Sequence, residues 1–198
     1  MNITSFLLYC LIVTFTPGPT NIVILSAVQN FGVKKTMEYV YGATVSFGIL
    51  LAVSALLNSA LITVVPKVLS IMQIIGSFYI LYLAYQIFKM DVSEATVSKP
   101  VGFITGLLMQ FVNPKVILFT MTVIPSFVIP YYNSFWSLFV FAAVITAIGF
   151  LAFITWVLFG TIFKEFLQKY QRASNTIMAL FLVYSAFVAS GIVGLFRR

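Results

Sequence analysis

Two short polar motifs, each carrying proline, interrupt otherwise apolar sequence: Thr16-Pro17-Gly18-Pro19-Thr20-Asn21 and Gln110-Phe111-Val112-Asn113-Pro114-Lys115. In the first, Pro17 and Pro19 each lack a backbone N–H, and each disfavours the α conformation in the residue before it. Gly18 admits backbone angles that other residues resist. The expected outcome is a short unwound segment and then a fresh helix start, with Pro19 in its first turn and Thr20 and Asn21 beside it. Freed N–H groups near Thr16 and Gly18, with the positive end of the new half-helix, would suit a carboxylate. The plainer alternative is a proline kink of the kind many membrane helices carry.

The second motif follows the same logic. Asn113-Pro114 breaks a helix, and Lys115 lies deep inside an apolar stretch, where a lysine costs about 2.5–3.5 kcal/mol at the bilayer centre. Either the side chain snorkels toward an interface, or it lines a cavity and binds an anionic group such as an amino-acid carboxylate. Gln110 and Asn113 would add hydrogen-bonding capacity there. The candidate substrate-binding residues are therefore Thr16, Pro17, Gly18, Pro19, Thr20, Asn21, Gln110, Asn113, Pro114 and Lys115.

Behind both motifs stands the solvent. The chain of 198 residues is 62% hydrophobic and 8% charged, with a mean hydropathy of +1.11. A soluble domain carries about 25% charged residues, so these composition values describe an integral membrane protein. The net charge of +7 does not imply a nucleic-acid partner, because most basic residues flank apolar runs. There is no histidine, and the one cysteine, Cys10, lies inside an apolar run as a small buried hydrophobe. Disulfides within the chain and Cys/His metal clusters are excluded, and no nucleophile–base pair proposes an enzyme or a cofactor. Met1–Ser5 has no basic stretch and no cleavage site follows, so the first apolar run is expected to remain as a span.

A bilayer span takes about 20 apolar residues. Six runs qualify, at 3–30, 37–63, 67–89, 101–129, 134–160 and 174–196, with Asn58 and Pro125 as natural early ends for the second and fourth. The polar stretch 90–100 divides a single transmembrane domain, 1–198, into repeat one (1–89) and repeat two (101–198). Three spans per half is odd, so the halves enter the membrane in opposite senses, each opening with a broken helix. The expected fold is an all-α membrane protein of six helices in two inverted three-helix repeats, with helices one and four broken. Breaks at corresponding positions of two such halves are the sequence pointer to a transporter's binding site. Seven basic residues fall in the loops 30–37, 89–100 and 160–173, against three (Lys67, Arg197, Arg198) on the other side. The positive-inside rule puts those loops in the cytoplasm and both termini outside.

Smaller features read as packing. Gly102 and Gly106 have the spacing of a close helix contact. Tyr79, Tyr82 and Tyr85 recur along one helix face as a packing and interfacial stripe, and Trp136 reads as an interface anchor. No Asp or Glu lies well inside a span; Glu38 stands at the start of the second, and whether it takes part in proton coupling is left open. No nucleotide-binding loop appears, so secondary transport on the proton-motive force is the simplest drive. One charge moved is worth about 2.3 kcal/mol per 100 mV, enough for roughly a fiftyfold gradient.

Pro17-Gly18-Pro19, the run Gly76-Ser77-Phe78-Tyr79-Ile80-Leu81-Tyr82-Leu83-Ala84, and Asn113-Pro114-Lys115-Val116-Ile117-Leu118-Phe119 through Ile124-Pro125-Ser126-Phe127-Val128 occur in order. Together they resemble the lysine exporter superfamily, in its homoserine/threonine-resistance branch, over nearly the whole chain. Many members carry glycine and then an acidic residue where this chain has Ser46 and Phe47. That departure, with the run Leu108-Met109-Gln110-Phe111-Val112-Asn113, is similar to the cysteine/O-acetylserine exporter subgroup. The resemblance implies a multi-pass protein of the bacterial inner membrane that exports small neutral amino acids, with protons as coupling ion. Partners would be a small amino-acid substrate, protons and the lipid bilayer, with no nucleic acid. A homo-oligomer stays open, as do two alternatives: an exporter of threonine, homoserine or other amino acids, and a membrane scaffold that transports nothing.

Overall fold

The computed structural model describes residues 1–56, 58–89 and 101–189, with the side chains of 58–73, 188 and 189 left aside. The divider at 90–100 and the C-terminal arginine pair fall outside the described residues, and so does the Lys67 side chain. Among the described residues there are eight α-helices, one π-helical turn and no strand.

Helix α1 (Ile3–Phe15) is capped by Asn2, whose Oδ1 accepts from Ser5 N at 3.1 Å. It stops where Pro17 forces its predecessor out of the helical region, Thr16 standing at φ −63° and ψ 143°. Pro19 opens α2 (Pro19–Leu56), at the position where its missing N–H costs nothing. The same grammar recurs in the other half. Helix α4 (Phe103–Val112) ends at Asn113 in extended geometry, and Pro114 opens α5 (Pro114–Val123) with Asn113 Oδ1 accepting from Lys115 N at 3.1 Å. The bend across this second break is 68°. A π-helical turn at Ile124–Val128 contains Pro125, so the helical structure runs on through that proline to Val128 rather than ending early at it. Helices α6 (Phe135–Ile162), α7 (Lys164–Lys169) and α8 (Gln171–Ala189) complete the chain, and α3 (Asn58–Lys89) lies mainly against α8.

Two expected boundaries shift. Residues 30–37 are not an open loop: α2 runs through them except at Gly32, whose φ of 77° only glycine adopts readily. Along an unbroken helix Leu25 and Phe47 would stand about 33 Å apart. Yet Gly160 packs on Leu25 and Gly149 on Phe47, positions about 16 Å apart on α6. Helix α2 therefore folds back at Gly32 into two arms, 19–31 and 33–56. Charge at Lys34 and Lys35 marked the turn correctly but overstated its length. Likewise α2 ends at Leu56 and α3 begins at Asn58, the early end that the sequence offered for the second run, so α3 starts well before 67.

By length and composition, Pro19–Leu56 and Phe135–Ile162 can each cross a bilayer, and the bent pair Phe103–Val112 with Pro114–Val128 makes a third if it is one broken span. The chain is a membrane protein whose described residues form helices and their connections, without strands.

Close crossings position the elements. A methyl on Gly42 would strike the Phe103 carbonyl and one on Gly106 the Tyr39 carbonyl, so the second arm of α2 and α4 touch backbone to backbone. Of the expected Gly102/Gly106 pair, only Gly106 serves this crossing. At one end of the bundle the α2 turn is clasped to the region around α7: Gln29 Nε2 donates to Leu167 O at 3.3 Å, Gln168 Nε2 to Gln29 O at 3.1 Å, and Gln171 Nε2 to Asn30 Oδ1 at 3.1 Å. Elsewhere, aromatic rings of α1, α5, α6 and the π turn interlock around Phe6, Tyr9, Phe119, Phe127 and Phe141. Gly106→Ala should lower the thermal unfolding midpoint in detergent, at a cost of about 1–3 kcal/mol. Gly102→Ala, whose methyl would meet only Glu38 Oε2 at 3.8 Å, should leave it in place; equal midpoints would contradict the crossing.

Candidate functional site

Where α1 stops, carbonyls without helical partners are left near its end, and side chains from three elements reach them. Asn21 Nδ2, from the first turn of α2, donates to Thr14 O at 3.2 Å and Thr16 O at 3.0 Å. Trp156 Nε1, from α6, donates to Phe15 O at 3.3 Å. Lys115 Nζ, from α5, donates to Thr16 O at 2.9 Å, to Thr16 Oγ1 at 3.0 Å and, more weakly, to Pro17 O at 3.5 Å. The ammonium thus sits at the negative end of the α1 dipole, where a cation is stabilised.

The first break therefore offers acceptors more than donors near Thr16. Its N–H is committed to Ile12 O at 3.1 Å, which removes it from the donors expected for a carboxylate. Donors remain one turn on. The hydrogen bonds of α2 begin with Ile22 N to Gly18 O at 3.0 Å, so the N–H groups of Thr20 and Asn21 have no acceptor within the helix. Gly18 is held close to the cation: a methyl there would lie 3.2 Å from Lys115 Nζ.

Deeper in, Thr20 joins the two breaks. Its Oγ1 accepts from Asn113 Nδ2 at 3.0 Å and donates to Gln110 Oε1 at 3.2 Å. All three side chains are buried, and Asn113 also caps α5, which fixes which way its amide points. Two polar atoms beside this chain have no hydrogen-bond partner, Gln110 Nε2 and the Tyr39 hydroxyl. The Tyr39 hydroxyl lies next to Thr20, but the geometry falls short of a hydrogen bond.

The two motifs meet around a cavity of about 40 Å³. Its lining takes Gly18, Thr20, Asn21, Asn113 and Lys115 from the two motifs, together with Val13, Thr14, Val116, Phe47, Phe119, Phe153 and Gly149, and the surface these residues turn to it is almost wholly apolar. A water needs about 10–15 Å³ by this measure, so the cavity has room for a few waters and none for an amino acid. Of the expected residues, Gln110 lies behind the lining, Pro19 and Pro114 are buried heads of their helices, and Thr16 and Pro17 are exposed while holding Lys115. Among the described residues, Lys115 is the only ionisable side chain lining the cavity. Glu38 is instead in an exposed ion pair with Lys35 at 2.8 Å. Sequence reading missed Trp156, Gly149 and Phe153, which sit in uniformly apolar α6 with nothing nearby to single them out. Phe47 was visible only as a departure from a pattern.

The LysE type translocator family model matches residues 11–190. The chain is 37% identical over 185 residues to the cysteine/O-acetylserine efflux protein of Klebsiella pneumoniae, covering 93% of this chain and 94% of that one. It is 32% identical over 187 residues to the protein of the same name from Salmonella typhimurium, covering 94% and 96%. The Escherichia coli K12 protein of that name is 30% identical over 185 residues, covering 93% and 95%. No solved structure matches.

Thr20→Val would leave Asn113 Nδ2 and Gln110 Oε1 buried without their partner, a cost of about 1–3 kcal/mol for each such group. The expected result is a lower unfolding midpoint for Thr20→Val and a near wild-type one for Thr20→Ser. Identical midpoints would show that this hydroxyl does not tie the breaks together.

Proposed function

This chain belongs to the LysE type translocator family, and we propose that it exports small neutral amino acids or their derivatives, cysteine and O-acetylserine foremost, from the bacterial cytoplasm across the inner membrane. It is a translocator and not an enzyme. The names of its relatives support the substrate class. One observation carries the mechanism: Lys115 is held between the open end of α1 and the head of α2, on a cavity wall without an acidic side chain. A substrate carboxylate is a stronger partner for the ammonium than neutral carbonyls are. As Lys115 turns to it, with the Thr20 and Asn21 N–H groups adding donors, the Thr16 and Pro17 carbonyls become free to accept from the substrate's own ammonium. The site exchanges an internal cation for a zwitterion. Its substrate-binding residues are those of the two motifs, Thr16–Asn21 with Gln110, Asn113, Pro114 and Lys115.

The proposed architecture is six spans in a single domain, with repeat one (1–89) and repeat two (101–198) as inverted halves and both termini outside. Its support is the pairing of contacts that such a relation requires: second arm of α2 with α4, α6 with the first part of the chain, and α3 with α8. Rocking of the halves would open the cavity alternately to the two sides. Parting the amide clasp at Gln29, Asn30, Gln168 and Gln171 opens the side proposed as cytoplasmic, and parting the aromatic cluster opens the other. The proton is the proposed coupling ion. With Phe47 where many relatives carry an acid, any change of protonation at the cavity falls on Lys115.

Lys115→Ala should cut substrate-dependent uptake into everted membrane vesicles by about tenfold or more, the loss of one charge-assisted hydrogen bond. The three acceptors that already hold Lys115 also favour a structural role, so the unfolding midpoint is measured beside transport. Wild-type uptake would rule out the ligand role. Loss of uptake that merely tracks loss of folded protein would assign Lys115 to the structural role alone.

A further inference from the structure

The apolar lining of the cavity includes Phe47, a ring held closely by its neighbours. Phe47 is buried and lies parallel to Phe119, with centroids 5.9 Å apart and planes 5° from each other. Helix α6 passes close to the same ring at Gly149. A Cβ at that position would stand 2.6 Å from Phe47 Cε1 and 2.9 Å from Cδ1. Gly149 is in mid-helix and needs no unusual backbone angle; what it supplies is the absence of a side chain. The neighbouring Gly48 meets Thr146 on the same crossing, which fixes the distance between the second arm of α2 and α6.

The cavity surface is almost wholly apolar, with the Lys115 ammonium turned to the first break beside it. A zwitterion whose charged groups engage Lys115 and the exposed backbone of the first break must direct its side chain toward Phe47, Phe119 and Phe153. We infer that Phe47 and Gly149 set the size and polarity limit of the transported side chain, admitting short uncharged groups such as a thiol or an acetyl ester and refusing branched, aromatic or charged ones. Charged groups are refused because the wall offers them no partner. Size is limited because the ring lies against Phe119 and the Gly149 backbone, which leave it no room to retreat on those two sides. A side chain at 149 drives the ring toward the cavity, and a smaller residue at 47 enlarges it.

This inference rests on the export reading, and everted membrane vesicles separate the two. Uptake of cysteine (under reductant), O-acetylserine and leucine is measured for wild type, Gly149→Ala and Phe47→Leu, each normalised to protein in the membrane. Wild type is expected to take up the first two. In Gly149→Ala the O-acetylserine-to-cysteine ratio should fall about tenfold, and in Phe47→Leu the leucine-to-cysteine ratio should rise about tenfold, as one methylene in a tight pocket can produce. Wild-type ratios in both variants, with transport intact, would overturn the inference while sparing the export reading. If Gly149→Ala does not reach the membrane, Phe47→Leu decides alone, and an unchanged ratio overturns it. Wild type taking up none of the three would overturn the export reading and this inference together.

Discussion

Carbonyls left without helical partners at the end of α1 are the constraint on which the rest of this protein depends. In hydrocarbon an unpaired backbone group costs several kcal/mol, more than most single packing contacts return. Thr14, Phe15, Thr16 and Pro17 accept instead from Asn21, Trp156 and Lys115, which come from α2, α6 and α5. Satisfying one break thus draws three other elements to it. The tertiary arrangement around the cavity follows from that requirement as much as from close helix packing, because the hydrophobic effect itself gives no drive between helices already surrounded by lipid.

The second break is the complement of the first. Asn113 closes its own helix start with Oδ1 and reaches across with Nδ2 to Thr20, while Lys115, two residues on, reaches the other end of the same gap. Two points of attachment, one neutral and buried, one cationic and partly exposed, bracket the cavity. A neutral hydrogen bond is worth about 0.5–1.5 kcal/mol and one to a charged group about 1.5–3. The cationic tie is thus the stronger and also the one that a charged ligand can compete for. In the proposed mechanism structure and recognition share this residue, and an exchange of partners at Lys115 would link binding to the relation between the halves.

Much of this was legible in the sequence because proline and glycine act locally. Pro17, Pro19 and Pro114 remove donors wherever they stand, so both breaks could be placed to the residue. The polarity of the first break was not legible: whether it presents N–H groups or carbonyls depends on Thr16 N bonding back to Ile12, a matter of one backbone angle. Gly32 was passed over because a helix reversal needs one left-handed residue, and neighbouring lysines suggested a longer loop. The apolar wall was illegible for another reason. Gly149, Phe153 and Trp156 belong to an apolar helix, and which of its positions faces a cavity is fixed by crossings such as Gly48 with Thr146.

The central claim is that the two breaks together form the place where substrate is held. A structure determined with cysteine bound tests it most directly. The account predicts a carboxylate oxygen within about 3 Å of Lys115 Nζ, the substrate ammonium on the Thr16 or Pro17 carbonyl, and the thiol against Phe47. Cysteine bound elsewhere, with Lys115 still on the Thr16 and Pro17 carbonyls, would contradict it.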